Sequence, residues 1–90
     1  MLLGKVIGTV WSTRKDEKLV GAKFLIVKQL DLEGKFKDNF IVAVDSVGAG
    51  VGEVVLCATG SSARQTFQTK DKPIDAVIMA IVDKLDVSVS

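Results

Sequence analysis

Residues 42–64, VAVDSVGAGVGEVVLCATGSSAR, carry three glycines on alternate positions between two apolar segments. A dinucleotide-binding fingerprint, G-x-G-x-x-G, needs a strand before the glycines and a helix after them. Here the third glycine, Gly52, comes one residue early, and no Gly-Lys-Ser/Thr sequence supplies a P-loop lysine. The next segment, Glu53 to Thr59, is rich in β-branched and apolar residues and predicts a buried strand. The glycines therefore indicate a tight link between two strands, packed against another loop or another chain.

Apolar segments on either side of this stretch predict four further strands, over Leu3–Ser12, Leu19–Leu30, Asn39–Val47 and Ala76–Val82. We expect the first to bend sharply at Gly4 or Gly8. A turn is expected between the second and third strands, with Gly34 at a positive φ angle. The last segment would also suit a helix, but its β-branched residues favour a strand.

A short helix is expected between the last two strands, because Ser61 or Ser62 can cap backbone N–H groups and Ala63 to Gln65 tolerate a helix. The chain, residues 1–90, is predicted to be one domain of the all-β class with a small α content. The expected architecture is a five-stranded, OB-like closed β-barrel with that short helix before the last strand. Closing the barrel would remove the exposed edges of very apolar strands.

Composition narrows the possible functions. The chain is 48% hydrophobic, which favours association with other chains, and its net charge of +1 lacks the basic excess of a nucleic-acid-binding protein. The longest apolar run, Ala76 to Val82, is too short to span a bilayer, and residues 1–5 lack the pattern of a secretion signal. We therefore expect a cytosolic protein with no membrane partner.

The usual catalytic groups are scarce. The chain has no histidine, no tyrosine and a single cysteine, Cys57, whose apolar neighbours predict a small buried side chain. Asp45 and Glu53 flank the glycine segment and Arg64 lies beyond the fourth predicted strand, but no carboxylate spacing indicates hydrolysis or a metal loop. We expect no catalytic residue, metal or cofactor. An OB-fold module for single-stranded nucleic acid is the alternative, with Phe36 between two lysines as an exposed stacking platform.

The segment from Val42 to Glu53, followed by Val54-Val55-Leu56 and Gly60-Ser61-Ser62-Ala63-Arg64, closely resembles the EutN/CcmL family of bacterial microcompartment shell proteins. The similarity extends to the opening GKVIGTV, to residues 19–27, LVGAKFLIV, and to the closing DAVI and IVD. Order and spacing are kept over nearly the whole chain.

The resemblance implies a structural protein. Five copies would form a pentamer that closes a fivefold vertex of a polyhedral shell, next to hexameric and trimeric shell proteins in the bacterial cytoplasm. Small residues would let loops of neighbouring subunits crowd near the symmetry axis. The expected pentamer-interface or pore-loop residues are Asp45, Gly48, Ala49, Gly50, Gly52, Ser61, Ser62 and Arg64.

Overall fold

A computed structural model of the chain describes residues 1–13, 15–66, 69–70 and 74–88, with the side chain of Ser62 outside the description. Five strands close into a barrel in the order β1-β2-β3-β5-β4. Their bounds are Leu2–Val10 (β1), Phe24–Leu30 (β2), Phe36–Asp45 (β3), Val54–Thr59 (β4) and Ala76–Ile81 (β5). The predicted five-stranded closed barrel is confirmed.

The barrel closes through one parallel contact. Neighbouring strands pair antiparallel everywhere except between β3 and β5, where Val44 lies opposite Val77 and Asp45 opposite Ile78. Two antiparallel strands can be joined by a tight turn, whereas a parallel pair needs a longer crossover. The glycine segment, β4 and the chain that follows β4 together form that crossover from β3 to β5.

The two glycines expected to bend β1 lie where β1 packs most closely on β2 and where the β1–β2 register shifts. A Cβ added at Gly4 would come within 2.4 Å of Val27 Cγ1 and 2.8 Å of the Lys28 carbonyl oxygen, so only glycine allows β2 to approach this closely. Gly8 directly follows the irregularity that shifts the β1–β2 register after Val6. A register shift of this kind increases local twist, which helps to close a small barrel.

The turn between β2 and β3 forms as expected. Gly34 has a φ angle of 81°, and the side chain of Asp31 accepts the backbone N–H groups of Glu33, at 2.8 Å, and Lys35, at 3.0 Å. These hydrogen bonds, led by the one from Lys35, lower the pKa of the Asp31 carboxyl group.

Two apolar clusters stabilise the fold. The first fills the barrel and consists of Val6, Leu25, Val27, Ala43, Ala49, Val55, Cys57, Ala76 and Ile78. The second joins Val44, Ala58 and Val77 to Ala63 and Ile74, which flank the barrel. Cys57 is fully buried, as its apolar neighbours predict.

Some element boundaries differ from the sequence predictions. The expected short helix before β5 forms as a 3₁₀ helix, Gly60–Arg64, so the small helical content of the described residues is 3₁₀ rather than α. Another 3₁₀ helix, Glu17–Leu19, lies between β1 and β2, and the Asp16 side chain accepts the backbone N–H of Lys18 at its start. Consequently β2 begins at Phe24 rather than Leu19. None of the described helices is long and apolar enough to cross a membrane.

Candidate functional site

Asp45 organises the start of the glycine loop, residues 46–53. It is the last residue of β3, and its Oδ1 accepts hydrogen bonds from the backbone N–H groups of Val47, Gly48 and Ala49, each at 3.1 Å. One carboxylate oxygen therefore turns three successive peptide units out of the strand. This explains why β3 ends at Asp45, two residues before the predicted end at Val47.

Glu53 closes the other end of the loop. Its Oε1 accepts the N–H of Gly50 at 2.7 Å, and its own N–H donates to the Gly50 carbonyl at 3.2 Å. The loop is also joined to β1, because Gly52 N–H donates to the Val6 carbonyl at 2.8 Å and Val6 N–H donates to the Glu53 carbonyl at 3.0 Å. The glycine loop is consequently held at both ends and along one side.

The three alternate glycines have different structural roles. Gly48 and Gly52 have φ angles of 77° and 94°, which residues with a Cβ rarely adopt. Gly50 has no positive φ, and a Cβ there would meet only Glu53 Oε1, at 3.4 Å. The fold of a single chain therefore requires glycine at positions 48 and 52 but leaves room for a side chain at position 50.

Ala49 faces inward. Its side chain is 1% exposed and belongs to the cluster that fills the barrel, so a small residue is needed there for packing within the chain. The loop presents larger apolar groups to the surface, since Val51 is 65% exposed and Val47 is 39% exposed. These two valines were missed by the sequence analysis.

The other predicted site residues lie beyond β4. Arg64, the last residue of the 3₁₀ helix Gly60–Arg64, donates from Nη1 to the Ile74 carbonyl at 3.0 Å and is exposed. It lines an open depression with Ser61, Gln65 and Lys70. The side chain of Ser62 lies outside the described residues.

A buried threonine supports this helix and was not anticipated. Thr69 Oγ1 donates to the Ala63 carbonyl at 2.6 Å, and the Thr69 N–H donates to Thr66 Oγ1 at 3.1 Å. Thr69 is fully buried, so these bonds satisfy polar groups that would otherwise be costly. Nothing in the local sequence distinguishes Thr69 from its polar neighbours.

The predicted site residues form two separate groups. The glycine loop precedes β4 and the Arg64 group follows it, so they lie at opposite ends of a six-residue strand. At about 3.3 Å per residue, that strand separates them by roughly 17 Å. They can therefore contribute to two contacts, one at each end of β4, but not to a single pocket.

A third surface was indicated only in part by the sequence. Lys5 on β1 lies opposite Lys28 on β2, and Lys28 lies opposite Phe40 on β3. The ring of Phe36 lies 5.9 Å from Lys5 Nζ and 5.3 Å from Lys28 Nζ. We call Lys5, Lys28, Phe36 and Phe40 the lysine–phenylalanine patch. Phe36 and Phe40 are 51% and 61% exposed, as expected for Phe36.

The chemistry of the described residues is limited. Burial raises the pKa of the Cys57 thiol to about 11, so the thiol is protonated at neutral pH and is a poor nucleophile. Within the described ranges, no group of three or more Cys, Asp or Glu side chains could hold a metal ion.

Comparison with known proteins assigns the chain. The family model described as "Ethanolamine utilisation protein EutN/carboxysome" matches residues 1–83. The chain belongs to the EutN/CcmL family. This confirms the resemblance found in the sequence.

Relatives in the EutN/CcmL family have similar sequences over nearly their whole length. The carboxysome shell vertex protein CcmL of Thermosynechococcus vestitus is 47% identical over 83 residues, covering 92% of this chain and 84% of that protein. The bacterial microcompartment shell vertex protein GrpN of Rhodospirillum rubrum is 48% identical over 86 residues, covering 96% and 97%. Vertex proteins of carboxysomes and of other compartments are thus similar to this chain to the same degree.

Solved structures of the family share the barrel. The pentameric microcompartment shell protein GrpN of Rhodospirillum rubrum superposes with a TM-score of 0.90 at 46% identity, covering 98% of this chain and all of that one. The CcmL of Gloeobacter violaceus superposes with a TM-score of 0.92 at 42% identity, covering 97% and 90%.

Proposed function

We propose that five copies of this chain assemble into a pentamer that caps the fivefold vertices of a bacterial microcompartment shell. The observation that carries this function is the family match over residues 1–83, together with a barrel that superposes on a pentameric shell protein over its full length. The protein is structural rather than enzymatic, because its relatives are named as shell vertex proteins.

The exposed apolar surface supports association. Trp11 is 89% exposed, Phe40 is 61% exposed, and Val51 on the glycine loop is 65% exposed. Interfaces between proteins are enriched in aromatic residues, and Trp11 and Phe40 are large exposed aromatic side chains. Burial between copies would remove part of this surface from water.

We place the glycine loop, with Asp45, Gly48, Ala49, Gly50 and Gly52, near the fivefold axis. Two features of the single chain support this placement. Gly50 lacks a side chain although its own subunit leaves space for one, and Val47 and Val51 are exposed on either side of it. A close approach by the loops of neighbouring subunits would account for both features.

Ser61, Ser62 and Arg64 are proposed to take part in contacts between subunits at the other end of β4. One guanidinium nitrogen of Arg64, Nη1, is hydrogen-bonded to the Ile74 carbonyl of its own chain. The other N–H groups of the guanidinium can donate across an interface. Hexameric and trimeric shell proteins are the proposed partners of the pentamer, and the bacterial cytoplasm is its proposed location.

Native mass spectrometry tests the assembly directly. We expect a single species of five times the 9.6 kDa mass of one chain. A monomer at micromolar concentration would contradict the vertex function. Co-expression with hexameric shell proteins tests the location, because vertices should close only when this chain is present.

The OB-fold alternative makes an opposite prediction for nucleic acid. We expect labelled single-stranded DNA to bind only weakly and in a salt-sensitive manner, because the net charge is +1. Submicromolar binding that is lost in Phe36→Ala would favour the alternative.

A further inference from the structure

Two positive charges of the lysine–phenylalanine patch are not neutralised by the chain itself. Lys5 and Lys28 are directly opposite each other on adjacent strands, an arrangement that is unfavourable for like charges. In the part of the chain that the structure describes, the ion pairs join other side chains, and neither of these lysines has a carboxylate partner. Both ammonium groups lie beside the ring of Phe36. The patch can therefore accept a carboxylate from another molecule.

Apolar side chains continue this surface along the barrel. Phe40 and Val42 lie two residues apart on β3, so they share the outer face, and both are exposed. Ile26 on β2 lies opposite Val42. It also lies opposite Gly8 on β1, which has no side chain to cover it. The outer face of β1, β2 and β3 thus has a basic end at the two lysines and an apolar end at Ile26 and Val42.

The spacing of these groups defines what fits on them. Lys28 and Ile26 are two residues apart on β2, about 7 Å at 3.3 Å per residue. Side chains i and i+2 of an extended peptide have the same spacing and point in the same direction. A segment in which one residue separates an Asp or Glu from an apolar residue would place its carboxylate at the lysines and its apolar side chain at the apolar end.

Two carboxylates of the same chain lie close to the patch without occupying it. Asp38 is on β3, between the two phenylalanines. Asp83 directly follows Val82, whose N–H donates to the Val54 carbonyl. Val54 in turn lies opposite Lys5 on β1. Among the residues that the structure describes, neither carboxylate forms an ion pair with a lysine of the patch. The single chain therefore leaves the patch positively charged.

Two features of the fold favour a different protein over a second copy of this chain. The surfaces proposed to join subunits lie at the two ends of β4, and β2, at the centre of the patch, is not a neighbour of β4 in the barrel. Those surfaces also do not complement a pair of lysines. In the glycine loop Asp45 and Glu53 already accept backbone N–H groups, and the described residues that line the depression beside Arg64 are neutral or basic.

We propose that the lysine–phenylalanine patch docks an extended acidic segment of the hexameric shell protein that adjoins the vertex. One carboxylate of the segment lies between Lys5 and Lys28, and an apolar side chain two residues along the segment covers Ile26 and Val42. This inference rests on the proposed vertex function, and it adds the surface and the chemistry by which the pentamer holds its neighbour. Because charge pairs at the rim of an interface are screened by ions, salt should weaken the docking.

Charge reversal tests the docking in assembled shells. Lys28→Glu should keep the pentamer mass in native mass spectrometry. In shells formed by co-expression with hexameric shell proteins, its incorporation should fall by about three- to tenfold, because an exposed ion pair is lost and repulsion is added. Lys18→Glu, the same charge change in the 3₁₀ helix Glu17–Leu19, is the matched control and should be incorporated as the parent is.

The outcomes separate the docking from the vertex function. Equal losses in Lys28→Glu and Lys18→Glu, or unchanged incorporation of Lys28→Glu, would overturn the docking while a pentameric parent that enters shells leaves the vertex function standing. Loss of the pentamer in Lys28→Glu would place the patch between copies and would also overturn the docking. A monomeric parent would contradict the vertex function itself.

Photo-cross-linking identifies the molecule that occupies the patch. Phe40→p-benzoylphenylalanine, irradiated in assembled shells, should cross-link to a peptide of the hexameric protein in which an Asp or Glu stands two residues from an apolar residue. Mass spectrometry of the digested shells identifies that peptide. A cross-link to residues 83–88 of the same chain or to a second copy, or no cross-link at all, would overturn the proposal.

Discussion

Gly50→Val should weaken the packing between subunits of the pentamer while leaving the packing within one chain nearly unchanged. Within the chain the substitution should cost little, because Gly50 has no positive φ and a Cβ there would meet only the end of the flexible Glu53 side chain, at 3.4 Å. We expect the free energy of unfolding of the isolated subunit to change by less than about 1 kcal/mol. Near a fivefold axis, however, the same change adds five branched side chains to a crowded opening.

Gly48→Val is the matched control. Its φ angle of 77° is costly for a residue with a Cβ, so we expect a loss of about 1–2 kcal/mol in the isolated subunit. The two variants should therefore separate in two measurements. Chemical denaturation at a concentration where the parent is monomeric should show the loss mainly in Gly48→Val. Native mass spectrometry at higher concentration should show weakened assembly in Gly50→Val although its subunit remains stable.

In cells, shells with Gly50→Val should form but leak a small intermediate, while the enclosed enzymes keep their activity in lysate. The placement of the loop near the axis would be refuted if Gly50→Val assembled as tightly as the parent and sealed shells equally well. Reduced stability of the isolated Gly50→Val subunit would refute the separation of the two effects.

Three other substitutions or probes test the single chain. Gly4→Ala should destabilise it by about 1–3 kcal/mol, because the new Cβ overlaps Val27 and a backbone carbonyl. Gly8→Ala should not, because its Cβ would lie 3.5 Å from the nearest atom, Ile26 Cδ1, and equal melting temperatures of the two variants would contradict this. Arg64→Ala should lower the free energy of unfolding by about 1 kcal/mol through loss of the hydrogen bond to the Ile74 carbonyl, and it should weaken assembly. Arg64→Lys should recover part of the stability. An unchanged pentamer in Arg64→Ala would show that Arg64 stabilises only the single chain. Cys57 should react with a thiol reagent at pH 8 only on unfolding, because burial raises its pKa to about 11; fast reaction in the folded protein would show that this strand opens.

The sequence alone determined the elements whose signals are local. Alternation along β3, dense apolar residues in β2 and β4, and the glycine of the β2–β3 turn are each legible within a few residues, so five strands and a closed barrel could be predicted. Cys57 was correctly expected in the core for the same reason. The family resemblance, which depends on the order of residues in the chain, then indicated the function.

The tertiary structure decided everything that depends on which strands meet. Strand register brings Lys5, Lys28 and Phe40 into one row, although they are far apart in the chain. Closure of the barrel turns Ala49 into the core and leaves space beside Gly50 for a side chain. A residue's neighbours across a barrel are set by pairing and shear, and a sequence periodicity reports only which side of its own strand the residue occupies.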